Sequence, residues 1–237
     1  MRADRKIDTV VFDLDGTLLY TLEDLTDAVN YAMQACGMPL RSLEEIRTFV
    51  GNGIKTLMLR AVPDGAENPQ FEAAFEAFKT YYDAHCNDKT RAYDGVQELL
   101  RALRDRGYAL AIVSNKVDSA VEALRDRYFQ EVAVAIGDRE GMQRKPAPDS
   151  VYLALRELGR TRETAVYVGD SDVDLQTAAN SGLPCISVLW GFRDREFLLS
   201  HGATLFAEKP MDVLERIMDV DMNMSMDMAT ERHRLEE

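Results

Sequence analysis

A chain of 237 residues, 46% of them hydrophobic, carries enough apolar material for one packed domain or for a core with a modest insertion. Its formal net charge of -13 excludes nucleic acid and anionic membrane as expected partners, because both reward clustered Lys and Arg. Cys36, Cys86 and Cys185 are far apart and in no metal-ligand spacing, and no apolar run reaches the roughly 20 residues of a membrane helix. With no signal-length apolar stretch after Met1–Lys6, the expected setting is the cytoplasm, and the expected assembly a monomer or homodimer.

Thr9-Val10-Val11-Phe12 is a β-branched and aromatic run that predicts a fully buried strand. It runs into Asp13-Leu14-Asp15-Gly16-Thr17, and because side chains alternate along a strand, Asp13 and Asp15 leave it on the same side. Two carboxylates in one small space can hold a divalent cation, or one can attack while the other moves protons. A solvated acidic turn is the plain alternative.

Helical signals follow. Thr21 with Asp24, and Ser42 with Glu45, have the spacing of capping boxes ahead of apolar residues. Phe71, Ala74, Phe75, Phe78, Tyr81 and Tyr82 recur at helical spacing, as packing rather than as a ligand box. Residues 18–88 thus form a helical insertion, with the turn Gly51-Asn52-Gly53 inside it. From Tyr93 onward helices near 95–106, 117–127, 149–158, 173–180, 194–200 and 211–219 alternate with strands. The strands are Ala109–Val113, Val132–Ile136, Ala165–Val168, Cys185–Val188 and a weak Thr204–Phe206. That rhythm predicts an α/β fold, a doubly wound parallel sheet, with core segments 1–17 and 89–219. Residues 220–237 mix Asp and Met without a sustained face and are expected to be disordered or loosely helical.

Right-handed crossovers put the carboxyl ends of parallel strands on one edge, where ligands bind. Asp13 and Asp15 end the first strand, Ser114 and Asn115 the second, and Gly169-Asp170-Ser171-Asp172-Val173-Asp174 a later one. Lys145 lies in the loop after Val132–Ile136. Each has an ordinary reading as a cap or a solvated charge, but four stations on one edge are hard to explain that way. Oxygen ligands without His or Cys suit Mg²⁺ better than Zn²⁺.

Asp13-Leu14-Asp15-Gly16-Thr17, followed in order by Ser114, Lys145 and the Gly169-Asp170 cluster, resembles the haloacid dehalogenase superfamily of phosphotransferases, over about residues 7–215. The resemblance implies that Asp13 is a nucleophile forming an aspartyl-phosphate, and that Asp15 is the acid and then the base. It implies that Ser114 binds a phosphoryl oxygen, that Lys145 neutralises charge, and that Asp13, the Asp15 carbonyl and Asp170 hold Mg²⁺, with Asp174 supporting them. Residues 18–88 resemble the family's helical cap, whose Gly51 and Asn52 would face the substrate alongside Thr17 and Asn115. A second Asp at position 15 favours phosphate over halide chemistry. Val50-Gly51-x-Gly53 and Trp190-Gly191-Phe192 resemble the phosphoglycolate phosphatase branch. The expected function is therefore a Mg²⁺-dependent phosphatase of a small phosphorylated metabolite. The alternatives are a sugar phosphomutase of the β-phosphoglucomutase type and a catalytically silent binding protein.

Overall fold

The computed structural model describes residues 7–51 and 53–222 of the chain. Asn52 and the tail from 223 onward therefore lie outside the described residues. Strand β1 (Thr9–Phe12) leads to a two-residue strand β2 (Leu19–Tyr20), then to helices α1 (Leu22–Ala35), α2 (Leu43–Phe49), α3 (Gly53–Ala61) and α4 (Phe71–His85). The short strand β3 (Arg91–Ala92) pairs antiparallel with β2 and closes this excursion at its base. Alternation then sets in: α5 (Val96–Asp105), β4 (Ala109–Val117), α6 (Asp118–Tyr128), β5 (Val134–Asp138), α7 (Asp149–Leu158), β6 (Ala165–Gly169) and α8 (Asp172–Ser181). β7 (Cys185–Val188), α9 (Arg195–Ser200), β8 (Phe206–Ala207) and a helix α10 over 212–222 complete it.

The strands other than β2 and β3 form one six-stranded sheet in the order β5-β4-β1-β6-β7-β8, with every pairing parallel. β1 is central, and the alternation of its side chains divides it between two apolar layers. Val10 and Phe12 pack with Leu99, Leu103 and Ile217 from α5 and α10, whereas Val11 packs with Val151, Ala154 and Ala178 from α7 and α8. Burial on both faces is why the strand reads as a continuous apolar run. The insertion has a separate apolar cluster, in which Ala28, Met33, Ile46, Met58, Ala74 and Phe78 are fully buried. Phe192, from the loop after β7, joins that cluster.

Two expectations change. Thr21 precedes α1 without capping it. The Asp24 carboxylate instead accepts the Lys89 and Thr90 backbone N–H groups at 2.8–3.2 Å, tying the start of the insertion to its end. Ser42 and Glu45 do form the expected capping box. The charged tail does not begin at Val220: α10 runs on to 222, Val220 is buried against the sheet, and Asp221 accepts the Ile7 N–H at 2.7 Å. The signal missed was Val213, Ile217 and Val220 at spacings of four and three, on the face turned to the core.

Candidate active site

Because the sheet is parallel, the carboxyl ends of its strands share one edge, and there the residues just past β1 and β6 meet Ser114 and Asn115 in a cavity of about 110 Å³; these two lie within β4, which runs on past the expected end at Val113 through a shift in its pairing with β5. Asp13, Asp15, Ser114, Asn115, Lys145, Asp170 and Asp174 line it from the sheet side. Val50, Gly51, Gly53, Ile54 and Leu57 line it from the insertion. Gly51 thus stands where the sequence expectation put it, while Asn52 lies outside the described residues. Gly16 has φ +95°, and a Cβ there would run into the Asp170 carboxylate and the Phe192 ring. Only glycine combines that left-handed turn with so close an approach.

Lys145 is the hub. Its ammonium donates to Asp13 Oδ1 at 2.5 Å, to Asp174 Oδ1 at 2.9 Å and to the Tyr167 hydroxyl at 3.0 Å, so all three of its protons are engaged. Burial opposes its charge, yet Asp13 and Asp174 together hold the ammonium well above its ordinary value. Asn115 fixes the Lys145 backbone reciprocally, accepting its N–H at 2.8 Å and donating to its carbonyl at 3.0 Å. The side chain expected to contact substrate is therefore engaged in positioning the lysine.

Asp174 is saturated. Its second oxygen accepts from the Ser171 hydroxyl at 2.6 Å and the Ser171 N–H at 3.1 Å. Asp170 accepts the Phe192 N–H at 2.6 Å through Oδ2. Burial first, then the neighbouring Asp174, pushes the Asp170 carboxyl up to about 7. The same two causes raise Asp13 well above the ordinary carboxylate range, against the pull of Lys145. Among the described residues Asp13 Oδ2 accepts from the Thr17 hydroxyl alone, at 3.5 Å.

These facts test whether a metal fits. Asp13, Asp170 and Asp174 each place a ligand atom within 4.8 Å of the others, all buried. Mutually repelling carboxylates that resist ionisation are what a divalent cation would relieve, and an all-oxygen donor set selects a hard ion. Asp174, already accepting from the Lys145 ammonium, the Tyr167 hydroxyl and the Ser171 N–H and hydroxyl, is suited to support; Asp13 and Asp170 retain open lone pairs among the described hydrogen bonds.

Sequence reasoning missed four residues here. Lys116 donates to Asp15 Oδ1 at 3.2 Å and to the Tyr82 hydroxyl, from α4, at 2.7 Å. Arg47, on α2, donates to the Phe192 and Gly191 carbonyls at 2.8 and 3.1 Å. Arg193 returns the contact, donating to the Arg47 and Val50 carbonyls at 2.8 and 2.7 Å at the end of α2. Ser114–Asn115 stood next to a usable signal, the adjacent Lys116. The arginines had none, because their partners are backbone atoms about 145 residues away. Trp190 packs, donating its indole N–H to the Thr17 carbonyl at 2.9 Å.

The fold and this cluster define a parallel α/β protein with a carboxylate–lysine centre at the sheet edge, suited to a hard cation and an anionic substrate. The chain belongs to the haloacid dehalogenase-like hydrolases, whose family pattern matches residues 10–188. It is 32% identical to the phosphoglycolate phosphatase of Pseudomonas putida over 215 residues, 87% of this chain and 75% of that one. It is likewise 32% identical to phosphoglycolate phosphatase 1 of Pseudomonas aeruginosa, over 89% of this chain and 77% of that one. A crystallised protein from Lactobacillus delbrueckii subsp. bulgaricus superposes with a TM-score of 0.86 at 36% identity, covering 90% of this chain and 98% of that one. The resemblance drawn from Asp13–Thr17, Ser114, Lys145 and Asp170 is borne out at the level of family and fold.

Proposed function

We propose that this enzyme is a Mg²⁺-dependent phosphatase of small phosphomonoesters, with 2-phosphoglycolate its leading substrate, working through an aspartyl-phosphate. The single observation that carries the reading is the Asp13 carboxylate, buried, held at one oxygen by Lys145 and lining the cavity that Asp15, Ser114 and Asp170 share. The relatives named above supply the substrate to try first.

Phosphoryl transfer asks a protein mostly for positioning and for charge on the equatorial oxygens. Asp13 Oδ2 attacks phosphorus as the ester P–O bond breaks, and Asp15 gives its proton to the departing oxygen. Asp15 then takes a proton from water, whose oxygen attacks the same phosphorus and breaks the bond to Asp13, restoring the carboxylate. The Ser114 hydroxyl donates to a phosphoryl oxygen, and Lys145 works against the burial that disfavours the Asp13 carboxylate and offsets the incoming charge. Asp13, Asp170 and the Asp15 carbonyl would hold the Mg²⁺, which supplies further neutralisation of the phosphoryl oxygens. On this reading residues 18–88 act as a cap over the core formed by 1–17 and 89–219, excluding water and contacting the organic part through Gly51 and Asn52. The cytoplasm is the setting that suits a small-metabolite phosphatase whose helices are nowhere long and apolar enough to cross a membrane among the described residues.

Phosphate release from a panel of small phosphomonoesters tests this. Activity with Mg²⁺, lost on chelation and suppressed by millimolar Ca²⁺, is the expected result, because Ca²⁺ relaxes the tight octahedral geometry. Full activity after exhaustive chelation contradicts the metal assignment.

A further inference from the structure

We infer that Lys116 is the specificity residue that reads a carboxylate on the organic part of the substrate. The inference rests on the phosphatase reading above and deepens it by naming the group that would distinguish an anionic phosphoester from a neutral one.

Cations at the cavity wall are few. Lys145 has no N–H left, since Asp13, Asp174 and Tyr167 take all three. Arg193 donates from its two terminal nitrogens to the Arg47 and Val50 carbonyls, while its buried Nε, 3.9 Å from Asp172, makes no hydrogen bond among the described residues. Its guanidinium is tied to the junction between α2 and the loop after β7, although it keeps N–H groups beyond those two bonds. Lys116 differs in standing beside Asp15, on the core side of the cavity. Lys116 lines the cavity, its side chain is 11% exposed, and among the described residues its ammonium makes two hydrogen bonds, to Asp15 Oδ1 and the Tyr82 hydroxyl. Among the described residues one of its three N–H groups has no hydrogen-bond partner and is available to a ligand.

The surroundings suit that task. Tyr82 comes from the insertion and Asp15 from the core, so the ammonium is oriented only where the two meet. Leu25, Ile54 and Leu57 line the same cavity without a polar group of their own, which makes a charge there strong and a misplaced one costly. Asp13, Asp15 and Lys116 line one cavity and Lys116 is bonded to Asp15, so a substrate whose phosphoryl group lies on Asp13 would bring a carboxylate one carbon from the ester oxygen to the Lys116 side of that cavity. A neutral end of the same length would leave the third N–H unpaired in a partly dry site.

The test compares 2-phosphoglycolate with 2-hydroxyethyl phosphate, which has the same chain length and a neutral end, on the Mg²⁺-loaded enzyme. The wild type is expected to favour 2-phosphoglycolate. In Lys116→Met, the ratio of the two kcat/KM values should fall roughly 10- to 100-fold, chiefly through the KM for 2-phosphoglycolate, as for loss of a charged hydrogen bond. Lys116→Arg should restore part of that ratio. Tyr82→Phe, which removes one of the two groups orienting the ammonium, should shift the ratio the same way by a smaller factor and gives an independent reading should Lys116→Met fold poorly. If Lys116→Met slows both esters equally, Lys116 merely positions Asp15 and the inference is overturned. A wild type that hydrolyses both esters alike overturns the inference and leaves the phosphatase reading standing; one that hydrolyses neither overturns both.

Discussion

Lys145 and Asp13 lie 132 residues apart in sequence, and their charged atoms stand 2.5 Å apart in a buried site. Three acceptors share that one ammonium, so removing it strands two buried carboxylates, Asp13 and Asp174. Lys145→Met should lower stability by about 3–5 kcal/mol, the usual cost of breaking a buried pair from one side. Chemical denaturation measures this, and Mg²⁺ should recover part of the loss. Phosphatase activity should be lost at the same time.

The Asp170 carboxyl links pH to metal binding. Its folded value of about 7 lies above its ordinary 3.8, so the native protein keeps a proton that the unfolded chain has released. That contribution to stability is complete below 3.8 and is lost as pH rises through about 7. Asp13, also raised, acts in the same direction. Mg²⁺ binds the ionised carboxylates, so its effect on the melting temperature should be larger at about pH 8 than at about pH 5. Thermal melts with and without Mg²⁺ check this, and Asp170→Asn should flatten the difference.

The arginine exchange between the cap and the loop after β7 predicts a uniform effect. Arg47 holds the Gly191 and Phe192 carbonyls, and the Phe192 N–H in turn holds Asp170. Arg47→Ala should therefore lower kcat/KM by roughly 10-fold on every phosphoester, with no change of preference among them. A substrate panel distinguishes this from the selective loss expected at Lys116.

Much of this site was legible because strand ends concentrate chemistry. Asp13, Ser114 and Asp170 could be placed on one edge from the apolar runs that precede them, and Lys145 from the loop that follows the run Val132–Ile136. What stayed hidden depends on contacts that no local pattern encodes. Asp24 had the spacing of a capping partner, but its carboxylate found two backbone N–H groups 65 and 66 residues away. Asn115 stood at the edge as a candidate substrate ligand, yet the cavity geometry gives its amide to the Lys145 backbone. Arg47 and Arg193 bind carbonyls, which leave no trace in side-chain chemistry. Val220 was masked by the Asp and Met around it, although its burial follows from the helical spacing with Val213 and Ile217.

The division of labour between Asp13 and Asp15 is the centre of this account, and rapid mixing of Asp15→Asn with p-nitrophenyl phosphate tests it most directly. An aryl leaving group departs without a proton donor, whereas water attacking the aspartyl-phosphate needs its base, a step where acid–base catalysis contributes about 10² to 10⁴ in rate. The variant should release close to one phenolate per active site in a burst, then turn over slowly, and acid-quenched protein should carry one added phosphoryl group by intact mass. An alkyl phosphate should give no burst, and Asp13→Asn should give neither phase. An Asp15→Asn enzyme with no burst and no phosphorylated protein would contradict the account.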